Sequence, residues 1–417
     1  MKYRLVCKKC GKEIENFAQW FQQNQLCECG SNHVEVTYNA DYTKLKELFT
    51  SNPDNFWHYF DFLPLEKREN IISCQEGTVP IEEWTFLNRY AKEEFGIDCK
   101  VMVCRNDLNG GTNTFKDVAA AMAASIFKEN GIKEYCLAST GNTATAYSKY
   151  LSIGGTKFTV FVPNCVNEDT VEEIKSHNQN IVISEGDYAQ AKKEAAEHHK
   201  RNNVLISMGN IDPIRVEAKK TMVFEFLRQF GKMPDVYLQA VSGGTGPIAI
   251  DKGIREISAF YPEAKLPKML LVQQDTCDPM VQGWENAVQK GFPEGYEKEY
   301  PVIENPQTIV SILSTGNPGM FPIVAPIVKK SGGNFLRVKE SELVHFARIV
   351  KRERNIDLGP ASIVCFAGFY EALRKNEIRN GQLVLINTGE GAARAREFKK
   401  NYRSEEHTSE LQSPGSI

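Results

Sequence analysis

Thr112-Asn113-Thr114-Phe115-Lys116-Asp117 is the stretch on which the reading of this chain turns. It sets one lysine directly ahead of a run of small residues, Ala119 to Ser125, that reads as a helix. Before it come an apolar strand-like run, Val101 to Cys104, and the glycine turn Gly110-Gly111. A surface lysine ordinarily sits among other charges, whereas this one stands between an apolar strand and an apolar helix. That placement suits a lysine that carries a cofactor as a Schiff base, the way pyridoxal 5'-phosphate is carried.

The composition bounds the rest. A chain of 417 residues has room for two or three domains, each with its own core. A net charge of -3 with 25% charged residues gives no polybasic surface for nucleic acid and no membrane-binding face. The N-terminus has no apolar signal region, and no apolar run reaches membrane-spanning length. The 11 cysteines, mostly single and within apolar segments, read as reduced thiols of a cytoplasmic protein. At the far end, Arg403-Ser404-Glu405-Glu406-His407-Thr408-Ser409-Glu410-Leu411-Gln412-Ser413 reads as the translation of a common short-read sequencing adapter. Residues 403–417 are therefore assigned no function, and the native C-terminus is expected to be missing.

Along the chain, residues 1–45 form a small cysteine-bearing module. Cys7 and Cys10, then Cys27 and Cys29, each precede a glycine, and paired thiolates on such turns can converge on zinc in a closed, structural site. The plainer reading is a ribbon that keeps its shape without metal. From residue 100 the sequence alternates strand and helix. Strands are expected at 100–104, 134–138, 158–162, 181–184, 204–207, 236–240, 269–272 and 383–386, and helical stretches at 172–176 and 189–198. Near-continuous apolar strands of this kind belong to parallel sheets buried on both faces, so the fold class is α/β. Ligand loops are then expected at the carboxyl ends of the strands.

Three further loops carry chemistry. Ser139-Thr140-Gly141-Asn142-Thr143 follows a strand and opens a helix, which offers hydroxyls and unpaired N–H groups to a carboxylate; a simple helix cap explains it equally well. Ser242-Gly243-Gly244-Thr245-Gly246-Pro247 lets the backbone approach a phosphate at a helix N-terminus, though glycine turns after strands are common. Asn387-Thr388-Gly389-Glu390-Gly391 places a hydroxyl where it can meet a ring nitrogen.

Taken in order with Lys116, these loops resemble the threonine synthase family of fold-type II pyridoxal phosphate enzymes. Glu76-Gly77-Thr78-Val79-Pro80, Lys220-Thr221, Gly316-Asn317-Pro318, Ser331-Gly332-Gly333 and Pro360-Ala361-Ser362 extend the likeness to nearly the whole chain. The resemblance implies a tryptophan synthase beta-like architecture with two parallel-sheet domains behind an N-terminal zinc-ribbon-like module. It places 46–115 and 210–402 in a large cofactor-binding domain and 116–209 in a small mobile one. It implies that Lys116 is the Schiff-base and catalytic lysine. Asn142 would bond the cofactor's 3'-oxygen, Gly243, Gly244, Thr245 and Gly246 its phosphate, and Thr388 its pyridine nitrogen. Ser139, Thr140 and Thr143 would hold the substrate carboxylate, with Arg105, Arg215 and Lys220 as candidates for its phosphate. A homodimer is the family expectation.

The chain departs from the family pattern at Arg105-Asn106-Asp107, at Gly110 to Thr114, at Val118 in place of an arginine, at Thr78-Val79, and at Asp212. The expectation is that these changes surround the substrate pocket and leave the cofactor residues intact. The pattern is most similar to the cysteate synthase branch, which implies conversion of O-phospho-L-serine and sulfite to L-cysteate and phosphate, a step toward coenzyme M or sulfonolipid. Threonine formation from O-phospho-L-homoserine and water is the alternative, and a non-catalytic pyridoxal phosphate or phospho-metabolite binding protein the second.

Overall fold

The computed structural model describes residues 1–403, so the adapter-like segment from 404 on lies outside the described residues. Arg403, its first residue, closes the helix Arg396–Arg403 and pairs with Asp357 at 2.5 Å.

Three small strands, β1 (Tyr3–Cys7), β2 (Glu13–Ile14) and β3 (Val34–Tyr38), form an antiparallel sheet in the order β2-β1-β3. The chain then lays down β4 (Ile81–Glu83) and β5 (Lys100–Cys104). It moves to a second sheet for β6 (Glu134–Ala138), β7 (Lys157–Val162), β8 (Asn180–Ile183) and β9 (Leu205–Ile206). It returns to the first for β10 (Val236–Ala240), β11 (Lys268–Gln274), β12 (Asn334–Val338) and β13 (Leu383–Asn387). The larger sheet has the order β12-β11-β10-β13-β5-β4, parallel except for β4; the smaller has the order β8-β7-β6-β9, all parallel. The α/β expectation with two parallel sheets is met.

The reason is visible strand by strand. β10 and β13 are buried along almost their whole length, because helices cover both faces of the sheet. The helix Asp117–Glu129 is buried from Asp117 to Phe127. Its alanines let it pack closely against the helices Asn142–Gly154 and Pro213–Lys219. The sequence of small residues after Lys116 thus makes a central helix rather than a surface one.

The cysteine-bearing module is fastened to this frame by polar contacts. Gln25 Nε2 donates to the Ile206 carbonyl at 2.7 Å, and the Tyr38 hydroxyl donates to Glu217. Behind Glu217 lies a buried cluster of two lysines, Lys220 and Lys252, and two glutamates, Glu217 and Glu256. No helix among the described residues is long and apolar enough to cross a membrane.

Candidate active site

A cavity of about 360 Å³ opens where the carboxyl ends of β6 and β10 face each other. Lys116, Ser139, Thr140, Asn142, Thr143, Arg215 and Gly243 to Gly246 all line it. Residues far apart in sequence therefore converge at one place, as the crossover rule for parallel strands requires.

Lys116 stands at the start of the central helix. The loop before it is held by Asp117, whose carboxylate accepts the N–H groups of Thr112 and Thr114, each at 2.9 Å. Burial, and after it the Arg215 cation, lower the Lys116 ammonium to about 8, against the pull of a hydrogen bond to Lys219 and the Glu390 carboxylate. A free amine is thus within reach near neutral pH, as Schiff-base chemistry needs.

The glycine loop is built to take a phosphate. A Cβ on Gly243 would fall 1.8 Å from Asn210 Nδ2, so a larger residue would push aside the amide that Thr245 bonds. Gly244 has φ +90 and precedes the helix Thr245–Ile257, whose first turn has no side-chain cap. Uncapped N–H groups at a helix start, reached without an intervening side chain, form a ready anion cradle. With the free amine of Lys116 in the same cavity, the residues present fit pyridoxal 5'-phosphate.

The Ser139 hydroxyl accepts the N–H groups of Gly141 and Ala144, both at 3.1 Å, so it does cap its helix. Thr140 Oγ1 donates to the Ile312 carbonyl at 2.8 Å. Asn142 Nδ2 donates to Glu390 Oε2 at 3.0 Å. Arg215 donates to the Tyr147 hydroxyl at 3.3 Å and to Ser207 Oγ at 2.7 Å. Both acceptors are neutral, and the carboxylate that bears on the Arg215 charge, Asp212, makes no ion pair with it, so the guanidinium can still meet an anion in the cavity.

Three expected residues lie elsewhere, each for a local reason. Arg105 grips Asp107 with a two-pronged pair at 2.8 and 2.7 Å and reaches Glu82 at 2.8 Å; a guanidinium so neutralised is no phosphate receptor. Lys220 points into the buried cluster, 2.6 Å from Glu217 and 2.9 Å from Glu256. Thr388 is fully buried outside the lining. Its hydroxyl gives its proton to the Cys104 carbonyl at 2.6 Å and accepts the Asn106 N–H at 3.1 Å, leaving no proton for a ring nitrogen. The neighbouring Gly389 lines the cavity instead. The departures from the family pattern at Gly110 to Thr114, Val118, Thr78-Val79 and Asp212 also stand outside the lining. Gly110 and Gly111 are fixed by packing, since a Cβ there would meet the Cys74 carbonyl at 2.2 Å and the Tyr150 hydroxyl at 2.3 Å.

Two groups behind the cavity wall are not singled out by the sequence. Glu390 holds Asn142, and Lys219 stands beside Lys116. Lys219 could have been found from helix spacing, since it falls four residues after Arg215 on the same face.

In the module, Cys7 and Cys29 sulfurs lie 3.6 Å apart, as do those of Cys10 and Cys27. All four lie within 4.8 Å of one another. Tetrahedral zinc, with Zn–S of about 2.3 Å, sets sulfurs about 3.8 Å apart, so the cluster fits a structural zinc of the ribbon type.

Two parallel sheets meeting over a half-buried lysine and a glycine phosphate cradle define a fold-type II pyridoxal phosphate enzyme. The chain belongs to the pyridoxal-phosphate dependent enzyme family, which it matches over residues 74–389. Among relatives it is similar to a threonine synthase of Methanocaldococcus jannaschii, 27% identical over 92% of this chain and 91% of that one. It is also similar to a threonine synthase of Methanosarcina acetivorans, 26% identical over 93% and 91%. Solved structures of similar fold include an L-serine ammonia-lyase from Rhizomucor miehei, with TM-score 0.64, 14% identity and coverage of 79% and 98%. Maize serine racemase has TM-score 0.62, 14% identity and coverage of 88% and 100%.

Proposed function

We propose that this enzyme is a cysteate synthase, which exchanges the phosphate of O-phospho-L-serine for sulfite and releases L-cysteate and inorganic phosphate. The observation that carries this reading is the charge of the cavity. Arg215 lines the cavity beside Lys116, and the carboxylates that bear on these two are Asp212 and Glu390, the second already engaged by Asn142. A permanent cation on the cavity wall suits a reaction whose departing and arriving groups are both anions. Water, the acceptor in threonine formation, makes no such demand.

The bound cofactor supplies an electron sink for the pair left at Cα when a proton is removed. Lys116 is the base that takes this proton and later returns it to Cα. The backbone of Gly243 to Gly246 holds the cofactor phosphate, and Asn142, fixed by Glu390, meets the 3'-oxygen. Ser139, Thr140, Thr143 and the N–H groups of their loop receive the substrate carboxylate. Arg215 steadies the phosphate as its bond to Cβ breaks and draws in the sulfite that forms the carbon–sulfur bond. In the same reading, residues 116–209 move as a small unit over the substrate, and the enzyme works as a cytoplasmic homodimer.

Threonine synthase is the second reading, favoured by the relatives that carry that name. Phosphate release from O-phosphoserine and O-phosphohomoserine, each with and without sulfite, separates the two. Sulfite-dependent release from phosphoserine, with cysteate as product, is expected. Threonine from phosphohomoserine with no cysteate from phosphoserine would overturn the proposal.

A further inference from the structure

Lys219 is a buried amine to which the chemistry above gives no task. It is 1% exposed and ends the helix Pro213–Lys219, four residues after Arg215. Its Nζ lies 4.3 Å from the centroid of the Phe115 ring, and Lys116 Nζ lies 5.6 Å from the same centroid. The two side chains are in contact. The charged groups facing Lys219 are the cations of Lys116 and Arg215. No carboxylate faces Lys219 itself. Glu217 and Glu256 are taken by Lys220 and Lys252, Asp117 by the Thr112 and Thr114 N–H groups, while Asp212 faces Arg215, and Glu390, bonded by Asn142, faces Lys116 and Arg394.

Three like charges in one buried corner are unfavourable, and a guanidinium does not give up its proton. The two amines must therefore yield, and a closely coupled pair titrates as a unit that holds a single proton around neutrality. We propose that Lys219 is the proton partner of Lys116. It takes the proton that Lys116 sheds before its nitrogen bonds to the cofactor aldehyde, and hands it back when that bond is released. The free amine of Lys116 then condenses with the aldehyde with loss of one water, and nothing is oxidised or reduced. The direction agrees with the environment. Burial, then the Lys116 and Arg215 cations, hold Lys219 well below the ordinary lysine value, so Lys219 is the emptier of the two amines. Lys219 acts through Lys116 and is a positioning residue. The inference rests on Lys116 as the Schiff-base lysine.

The test is an absorbance titration of the full-length protein loaded with pyridoxal 5'-phosphate, for the wild type, Lys219→Met and Lys219→Arg. Lys219→Gln replaces the methionine variant if that one misfolds. The wild type should show a spectral transition on the acid side of the ordinary lysine value of 10.5, as Lys219 gains its proton beside the chromophore. Lys219→Met should lose that transition. Lys219→Arg, with its permanent charge, should hold the wild type's acid spectrum at every pH. A methionine or glutamine variant that titrates with the wild-type midpoint, or an arginine variant that still shows the transition, overturns the proposal. The Schiff-base reading fails on a different result, a Lys116→Ala protein that keeps the chromophore.

Discussion

Replacing Lys220 by methionine separates a structural lysine from a substrate-binding one. Its ammonium lies 2.6 Å from Glu217 and 2.9 Å from Glu256, and Lys252 lies 2.6 Å from the second Glu217 oxygen. Lys220 is fully buried, and none of the other three side chains is more than 7% exposed. Two positive charges balance two negative ones. The substitution leaves a buried excess of one negative charge, with the Tyr38 and Tyr42 hydroxyls and Lys252 as the remaining donors. Breaking a buried pair from one side costs about 3–5 kcal/mol. Unfolding entropy of about 2 cal/mol/K per residue turns about 4 kcal/mol into a fall in Tm of roughly 5 °C for a chain of this length. A calorimetric melt measures it, and the double variant Lys220→Met with Glu217→Gln, which restores charge balance, should recover most of the loss. KM for the phosphorylated substrate should stay within about twofold, because Lys220 does not line the cavity. A Tm within about 1 °C of wild type, together with a KM raised tenfold, would refute the reasoning and return Lys220 to the substrate.

Other outcomes follow from the same geometry. Gly243→Ala forces a Cβ to 1.8 Å from Asn210 and should weaken cofactor binding about tenfold or more, read by absorbance titration; unchanged affinity would remove this loop as the phosphate cradle. Because the Lys116 amine is free only above about 8, the rate of cofactor capture should climb with pH up to that value and level off beyond it, falling about tenfold per unit below. A rate flat between about pH 6 and 9 would contradict that ordering of charge. Metal analysis should find one zinc per chain, lost in a Cys10→Ser variant with a lowered Tm but a retained chromophore; a metal-free protein of undiminished Tm would leave the four thiols without this role.

Much of this was legible in the sequence, because the informative residues are those whose type is forced by backbone or burial. Apolar runs such as 236–240 and 383–386 announce parallel strands since nothing else buries both faces. Lys116, Asn142 and the glycine loop announce a cavity because their loops end such strands. What was not legible depended on partners distant in the chain. β12 was missed because Asn334 and Arg337 break its apolar pattern; Arg337 is balanced by Asp278 and Glu285 from another helix. Arg105 reads as a phosphate ligand in the sequence because the grip of Glu82 and Asp107 on its guanidinium shows only in three dimensions. Of the adjacent Lys219 and Lys220, sequence favoured the wrong one. Consecutive helical residues point about 100° apart, and only the phase set by Arg215 tells which amine turns toward Lys116.

The helix Pro213–Lys219 has a further consequence, since its residues serve two masters. Arg215 and Lys219 look toward the reacting end of the molecule, while Glu217, between them, is gripped by Tyr38 of the N-terminal module. The same module bonds the carbonyl of Ile206, beside the serine that steadies Arg215. A segment that looks detachable on paper is therefore a keystone in three dimensions. Transplanting the catalytic portion without its first forty residues, or grafting a different ribbon in their place, would unseat the wall that gathers anions even though no residue of that wall had been changed.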